Sequence, residues 1–574
     1  MAPHYASAQD PLTPIAYLPD TDPPPLPDTE SSSLPDTESP SLPDTESPSL
    51  PDTVSPSLPF SFATGLVPSS IPNATAQHGD INWSGLDIGS ISAQDIAIRM
   101  LVLPMLEGIM LMPHGGPGFG DYWVGVNMAD TEGVVQRVEL LAIAPRPESI
   151  GYCVNYNNTF FIMFFDPADD RIIIQNGSPH PLIFQELDGD TVREVNCNRS
   201  IVADPGVWII GTGEDGSLLE FQVLEKASYN VTSLTHTKRS AGNDTTTSKT
   251  RRLANGSTTR TEVSQLASSR NPLLNLGQGE AIKIGAGESG YQLSCVAPIA
   301  DQRRSAVWRA EHSGMTGKAV VVKVVKPLSA HKDATVEAAE AWLREVSIHS
   351  TVGNHYAVVP YLGSDARFHS IYTDYIDAKP LQFHVDPEGK FNGNIVRAWR
   401  ILGDMAAALC FLHKHDIAHG DVNSGNILFH PLRGAFLHDF NHSFREGESH
   451  EGGGAPWYLS PEYLRDGTLR GRASDMWALG VVMMWVLGHI PLPETQPGWN
   501  VSHIHPREAT SDINLDAQVA MGTWIEFVIT SKKSLYEQGG EIEPIIDSLV
   551  QSKKRDRVDS ATLLEQVSKC NLNH

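Results

Sequence analysis

The chain is poor in cysteine, in basic residues and in long apolar runs. Its five cysteines (Cys153, Cys197, Cys295, Cys410 and Cys570) are scattered, odd in number and never in C-x-x-C spacing. That argues against a disulfide framework and a cysteine-built zinc site, and favours a reducing compartment. Lysine plus arginine number 42 against 68 acidic residues, a formal charge of −26. Nucleic acid is therefore not expected as the main partner, because neutralising phosphates needs a basic face. The most apolar stretch, "MWALGVVMMWVLGHIPLP" just after Asp475, is too short to cross a bilayer and suits a buried core helix. The start, "MAPHYASAQDPLTP", has neither a basic n-region nor an apolar h-region. No signal peptide and no membrane partner are expected, and a cytoplasmic or nuclear location follows. The sequons at Asn230 and Asn243 then reflect Ser/Thr richness.

What is present falls into four segments. Residues 1–78 carry an octapeptide repeat, "SLPDTESP", with Asp28, Asp36, Asp44 and Asp52 in phase. Proline in every unit removes backbone donors, and Ser, Asp and Glu add no apolar area, so a disordered tail is expected. Ser39, Ser47 and Ser55 each precede proline and are candidates for a proline-directed kinase, weighed against simple repeat drift. Residues 79–225 change character. Runs such as "YCVNYNNTFFIMFF", "RIIIQNG", "PLIFQEL" and "GVWIIGTG" are β-branched or aromatic and are separated by Gly, Asp, Asn and Pro. Strands of about five residues with a turn every ten or so predict a small all-β domain, sandwich or barrel. Residues 226–284 include "TKRSAGNDTTTSKTRRLANGSTTR" and read as a polar, basic linker. Lys238-Arg239 with Lys249 and Arg251-Arg252 could form a two-part nuclear import signal, although solvated basic linkers are commoner.

Residues 285–574 carry the chemistry. In "HGDVNSGNILF" (419–429), Asp421 and Asn426 flank a polar turn between a helix-period stretch, "IVRAWRILGDMAAALCFLHK", and two short strands that deliver Asp439. Upstream, "GKAVVVKVVK" is a strand pattern with Lys323, and "ATVEAAEAWLREVSIHSTVGNH" is a helix pattern with Glu345. This order and spacing resembles the H-R-D-x-x-x-x-N, D-F-G and V-A-I-K segments of the protein kinase family. The resemblance implies a multidomain chain whose C-terminal domain is an α+β bilobal kinase fold, preceded by the all-β domain and the tail. It implies that Asp421 takes or orients the substrate hydroxyl proton, that Lys323 pairs with Glu345 and holds the phosphates, and that Asn426 and Asp439 hold Mg2+. ATP and a protein substrate are implied partners, and Asp374 and Ile376 of "YTDYIDAK" are assigned to the nucleotide.

"HGDxxxxN" is also how small-molecule phosphotransferases write this loop. Three later segments favour the protein kinases. "GGGAPWYLSPE" resembles the loop that holds peptide substrates, and "SDMWALGVVMMWVLG" the helix whose Asp475 bonds the catalytic-loop backbone. "KKRDRVDSATLLEQ" resembles the closing helix and places Arg557 to pair with Glu462 in a partly buried site. The 79–225 domain loosely resembles forkhead-associated modules that precede kinase domains in some fungal proteins. It lacks a clear phosphothreonine constellation, so a structural or partner-docking role is expected.

The departures decide activity. "GAGESG" (285–290) fits G-x-G-x-x-G by letter but ends too far before Lys323, since a hairpin with strands of about five or six residues needs roughly half that span. The better fit puts Ala300, Gln302 and Ser305 at the glycine positions, which weakens the approach of backbone to phosphate. D-F-G becomes Asp439-Phe440-Asn441, and Asn441 is expected to tolerate a left-handed turn in place of glycine. Gly420 replaces the arginine of H-R-D, so control by loop phosphorylation is not expected. Asn423 and Ala455 stand where serine/threonine kinases carry lysine and threonine. A weakly active serine/threonine kinase is therefore the first reading. A catalytically inactive pseudokinase scaffold is the alternative, and a small-molecule phosphotransferase ranks third.

Overall fold

The computed structural model describes residues 81–571, apart from 92–97, 116–121, 130–133, 188, 190–191, 214–215, 226–229, 238–249, 253–257, 266–270, 286–289, 449–452, 467–469 and 505–511. The octapeptide tail, with its Ser-Pro sites, and the Lys238-Arg239 and Lys249 positions lie outside the described residues.

The first described region is a β-sandwich. An eight-stranded sheet faces a five-stranded one, and the latter runs in the order Ser200–Ala203, Ile172–Asn176, Thr159–Phe165, Gly151–Tyr156, Met110–His114. Successive side chains of a strand point to opposite faces. In Thr159–Phe165, Phe161, Met163 and Phe165 therefore enter the core between the sheets, with Met100, Tyr152, Phe184 and Phe221. Ile162 and Phe164 face the other way, as does Ile173 of the neighbouring strand, and they too are buried. They pack on a helix described below.

Between the sandwich and the C-terminal domain a linker was expected. The described residues there form strands instead: Asn230–Thr237, Thr250–Arg252, Thr258–Gln265 and Glu280–Ile284. They extend an antiparallel nine-stranded sheet to which the C-terminal domain adds β1 (Tyr291–Asp301), β2 (Ser305–His312), β3 (Ala319–Val325), β4 (Tyr361–Asp365) and β5 (Ser370–Asp374). "NVTSLTHT" and "TTRTEVSQ" are rich in Thr and Val, which suit a pleated sheet; their polarity, not their β-propensity, made them read as a linker. Glu280–Ile284 pairs with the edge of β1 that faces away from β2 and the Lys323 strand, and residues 286–289 of "GAGESG" lie outside the described residues.

Helix α1 (Lys332–Val352) crosses this sheet. Trp342, Ala339 and Val336 share one buried cluster with Val325 and Ile371 of the sheet and with Ile150, Ile162, Phe164 and Ile173 of the sandwich. The helix is thus clasped between two domains. Polar contacts reinforce the clasp. His114 Nε2 lies 3.0 Å from Glu340 Oε1, and the Ala366 N–H donates to the Pro147 carbonyl at 2.8 Å. The C-terminal lobe is helical around a single large core. Its central helices are α2 (Ile395–Lys414), capped by the Asn394 side chain, the short α3 (Pro461–Asp466) and α4 (Arg472–Val486). Two short strands, β6 (Ile427–His430) and β7 (Gly434–Leu437), pair between the lobes. No described helix is long and apolar enough to cross a membrane.

Candidate functional site

Alternation along β3 sends Val320, Val322 and Val324 into the sheet's core and leaves Lys323 on the opposite face. Its Nζ donates to Glu345 Oε1 at 2.8 Å and to Asp439 Oδ1 at 2.6 Å. Three residues far apart in sequence meet here. Burial disfavours the Lys323 charge, but Asp439 and Glu345 outweigh it and raise the lysine above its ordinary value. Burial pushes the Glu345 carboxyl up, only partly offset by Lys323. Burial also opposes ionisation of Asp439, yet Lys323 overcomes it and holds that carboxyl well below the usual carboxylate range. Asp439 is thus the fixed anion of the trio.

Asp439 has φ 66°, a left-handed backbone that a residue with a Cβ adopts at a cost. The left-handed residue of this turn was expected at Asn441, which does not adopt it. Ser443 N–H closes the turn on the Phe440 carbonyl at 3.0 Å. The Phe440 ring is fully buried, 4.6 Å from that of His349 on α1 and 5.2 Å from that of His419. The position of the turn is thereby tied to the position of α1.

The catalytic-loop segment is held from beneath by α4. Asp475 accepts from the backbone N–H groups of His419 (2.8 Å) and Gly420 (2.9 Å). Gly420 has φ 74°, and a Cβ there would stand 2.3 Å from the His442 carbonyl oxygen, so close backbone approach as well as turn geometry asks for glycine. Asp421 Oδ1 accepts from the Ala455 N–H at 2.8 Å, and Oδ2 from Asn426 Nδ2 at 2.9 Å. Asn423, standing where lysine was absent, caps the turn: its Oδ1 accepts from the N–H groups of Gly425 and Asn426. Lower down, Arg557 forms a two-pronged pair with Glu462 on α3 at 2.8 and 3.0 Å, fully rather than partly buried.

A protein kinase domain model matches residues 304–567. Residues 304–567 are a protein kinase domain. The chain is similar to mitogen-activated protein kinase kinase kinase A of Dictyostelium discoideum, at 26% identity over 32% of this chain and 19% of that protein. It is also similar to serine/threonine-protein kinase GRIK1 of Arabidopsis thaliana, at 30% identity over 26% of this chain and 39% of that protein. A third relative is serine/threonine-protein kinase kin-29 of Caenorhabditis elegans, 28% identical over 26% of this chain and 19% of that protein. The chain spans only about a fifth to two fifths of the length of these relatives.

The kinase domain's β1–β2 turn falls at residues 301–305, where the Gln302 N–H donates to the Ser305 carbonyl at 2.8 Å. Val307 of β2 pairs with Lys323, so Ala300, Gln302 and Ser305 lie at the end of the hairpin beside that lysine's strand. Lys326 binds Asp301 and the Gln302 carbonyl and fastens the turn. Asp374 ends β5, and Ile376 is buried with Val359 and Phe436 in a small apolar cluster with Ala378 and Leu428. Val359, Phe436 and Leu428 were not foreseen: each is an ordinary apolar residue, and only the meeting of β6 and β7 with the segment after β5 makes them a surface.

The donor set for a divalent ion is small. Asn426 offers a carbonyl oxygen and Asp439 a carboxylate, brought near because the His438 N–H donates to the Asn426 carbonyl at 3.1 Å. Among the described residues no group of three or more His, Cys, Asp or Glu side chains could hold a metal alone. Hard oxygen donors from one carboxylate and one amide fit Mg2+, which keeps waters and takes its remaining ligands from phosphate. They do not fit a structural metal.

Proposed function

We propose that the protein transfers the γ-phosphate of ATP to serine or threonine hydroxyls of protein substrates. One observation carries this reading: Lys323 joins Glu345 and Asp439 while the Asp421 carboxylate is held by Ala455 and Asn426. Such transfer needs positioning and charge neutralisation more than covalent help. In the proposed reaction the substrate hydroxyl oxygen bonds to the γ-phosphorus, the bond to the β–γ bridging oxygen breaks, and the hydroxyl proton passes to Asp421. ADP leaves with the bridging oxygen. Lys323 would neutralise the non-transferred phosphates. Asp439 and Asn426 would hold magnesium, which when bound supplies charge neutralisation at the β- and γ-oxygens. Ile376, Asp374 and the apolar cluster beneath them would hold the base.

The proposed rate is low. Ala300, Gln302 and Ser305 carry Cβ atoms where backbone must come close to phosphate. A protein substrate is favoured over a small molecule because the Glu462–Arg557 pair and the Ala455–Asp421 bond both serve the segment that would seat a peptide.

The sandwich takes a role in the same reading. Its outward strand face and the His114–Glu340 pair cover the outside of α1, and the Ala366–Pro147 bond ties the sandwich to the turn between β4 and β5. We infer that this domain's partner is α1 itself and that it keeps Glu345 turned towards Lys323.

The test is transfer of labelled phosphate to a generic basic protein by the full chain, beside Asp421→Asn and Asp439→Asn. Asp421→Asn should abolish transfer with Mg-ATP affinity nearly unchanged, because that side chain acts on the hydroxyl. Asp439→Asn should lose both. If wild type and Asp421→Asn are equally inert while both bind Mg-ATP, the domain is a nucleotide-binding scaffold.

A further inference from the structure

Arg470 enters the catalytic loop from the segment just before α4. Its Nη1 donates to the Gly420 carbonyl at 3.2 Å and its Nη2 to the Gly453 carbonyl, while the guanidinium lies 5.0 Å over the Tyr463 ring. The side chain is buried, at 9% exposure. Gly420 belongs to the catalytic loop, and Gly453 to the end of the segment that follows Asp439-Phe440-Asn441. One planar fork therefore fastens two chain segments, the same two that the Asp421 carboxylate joins through the Ala455 N–H. The next residues along are Gly454 and Ala455, and the Ala455 N–H is the donor that holds Asp421 Oδ1 at 2.8 Å. A Cβ on Gly454, which has φ 88°, would stand 3.0 Å from Asp421 Oδ1 and 3.1 Å from Arg470 Nη1. The carboxylate and the guanidinium thus flank the same glycine.

A buried cation held by two carbonyl oxygens and the Tyr463 side chain costs free energy unless the contacts are specific. Arginine's five donors in a rigid plane suit two carbonyls on separate segments, and lysine's single point charge does not. We propose that Arg470 is a positioning residue. It pins the end of the loop onto Gly420, so that the Ala455 N–H meets Asp421, and it does so with no phosphate on the loop. Gly420, packed against the His442 carbonyl, carries no side chain, and Arg470 supplies from another element the cation that this turn lacks. The structural claim stands without the phosphoryl-transfer reading; its consequence for rate rests on that reading.

The experiment uses the full chain, treated with phosphatase, as wild type, Arg470→Met and Arg470→Lys. Hydrogen exchange of the peptide spanning 453–460 is followed beside the melting temperature. Wild type should protect this peptide although it carries no phosphate. Arg470→Met should exchange it about tenfold faster or more, with exchange in β1–β5 unchanged, and Arg470→Lys should fall between. If Arg470→Met does not fold, the Lys variant alone decides, by showing lost protection or wild-type protection. In transfer assays kcat should drop by about 10²-fold while the KM for ATP stays put, as expected when a reacting group is displaced but the nucleotide site is not. Equal protection of 453–460 in wild type and variant, or protection that appears only in phosphorylated protein, would overturn the proposal. An inactive wild type that still shows the protection difference would sink the phosphoryl-transfer reading and leave the role of Arg470 standing.

Discussion

Glu345 Oε1 accepts from Lys323 Nζ at 2.8 Å, and the helix that carries Glu345 is packed on its outer side by a different domain. The pair at the centre of the site is therefore held from both faces of α1. Glu345 itself is 3% exposed, so its loss has a structural as well as a chemical effect.

Glu345→Gln keeps the shape of the side chain and removes its charge, leaving Lys323 with Asp439 alone. Stability should fall by about 1–3 kcal/mol, the range for a weakened buried hydrogen bond. Stabilisation by Mg-ATP should shrink as well. Thermal unfolding of the full chain with and without Mg-ATP measures both, and an unchanged nucleotide-induced shift would show that the pair does not serve phosphate binding.

The clasp on α1 has a charge component. Burial opposes protonation of His114, but Cys153 and Glu340 outweigh it and raise the imidazole to about 10. A folded value above the ordinary 6.5 means that this contribution is fully present below 6.5 and is lost as the pH rises through about 10. Glu340 is partly exposed, so the pair should contribute no more than about 1 kcal/mol. Glu340→Ala should speed hydrogen exchange in α1 at pH 6 and matter little at pH 10. Exchange that responds equally at both values would assign the clasp to apolar packing alone.

Two buried histidines act in the opposite direction. Burial lowers His349 to about 4 and His369 to about 3. Their neutral forms belong to the folded state, so stability is intact above 6.5 and falls as the unfolded chain takes up protons below that value. The loss should reach about 3 kcal/mol or more by pH 4. His349→Gln, which keeps a donor towards the Val359 carbonyl that the ring contacts at 2.8 Å, should flatten the acid limb of the stability curve. An acid limb as steep as in wild type would place the sensitivity elsewhere.

Glu462→Ala leaves the Arg557 guanidinium buried with carbonyl oxygens only, since Gln551 and Ala473 remain as acceptors. The cost should be about 3–5 kcal/mol. Chemical denaturation would read it as a lower midpoint, and the double variant Glu462→Ala with Arg557→Met should recover part of the loss.

The residues of the candidate site could be proposed from sequence because their spacing is local and their types are few. Asp421 and Asn426 sit five apart on one turn, and a Lys on a strand followed by a Glu on a helix could be aligned without knowing where either points. The two-domain clasp was written in "FFIMFF" and "RIII" but not read. Unbroken apolar runs mean strands buried on both faces, and the second face implies a second partner. The strands at 230–237 and 258–265 were hidden by polarity, since sheet pairing can recruit Thr-rich segments with little apolar area of their own.

The amino-acid order alone determined which residues could do chemistry and which stretches would be helix or strand, because propensity, period and motif spacing act over a few residues. The tertiary structure decided the rest. It put the left-handed turn at Asp439 and not at Asn441, covered α1 with the sandwich, and brought Arg470 to Gly420 and Gly453 across the fold. Such pairings join positions tens to hundreds of residues apart, and their energies come from burial and from hydrogen bonds that exist only when the chain has closed around them.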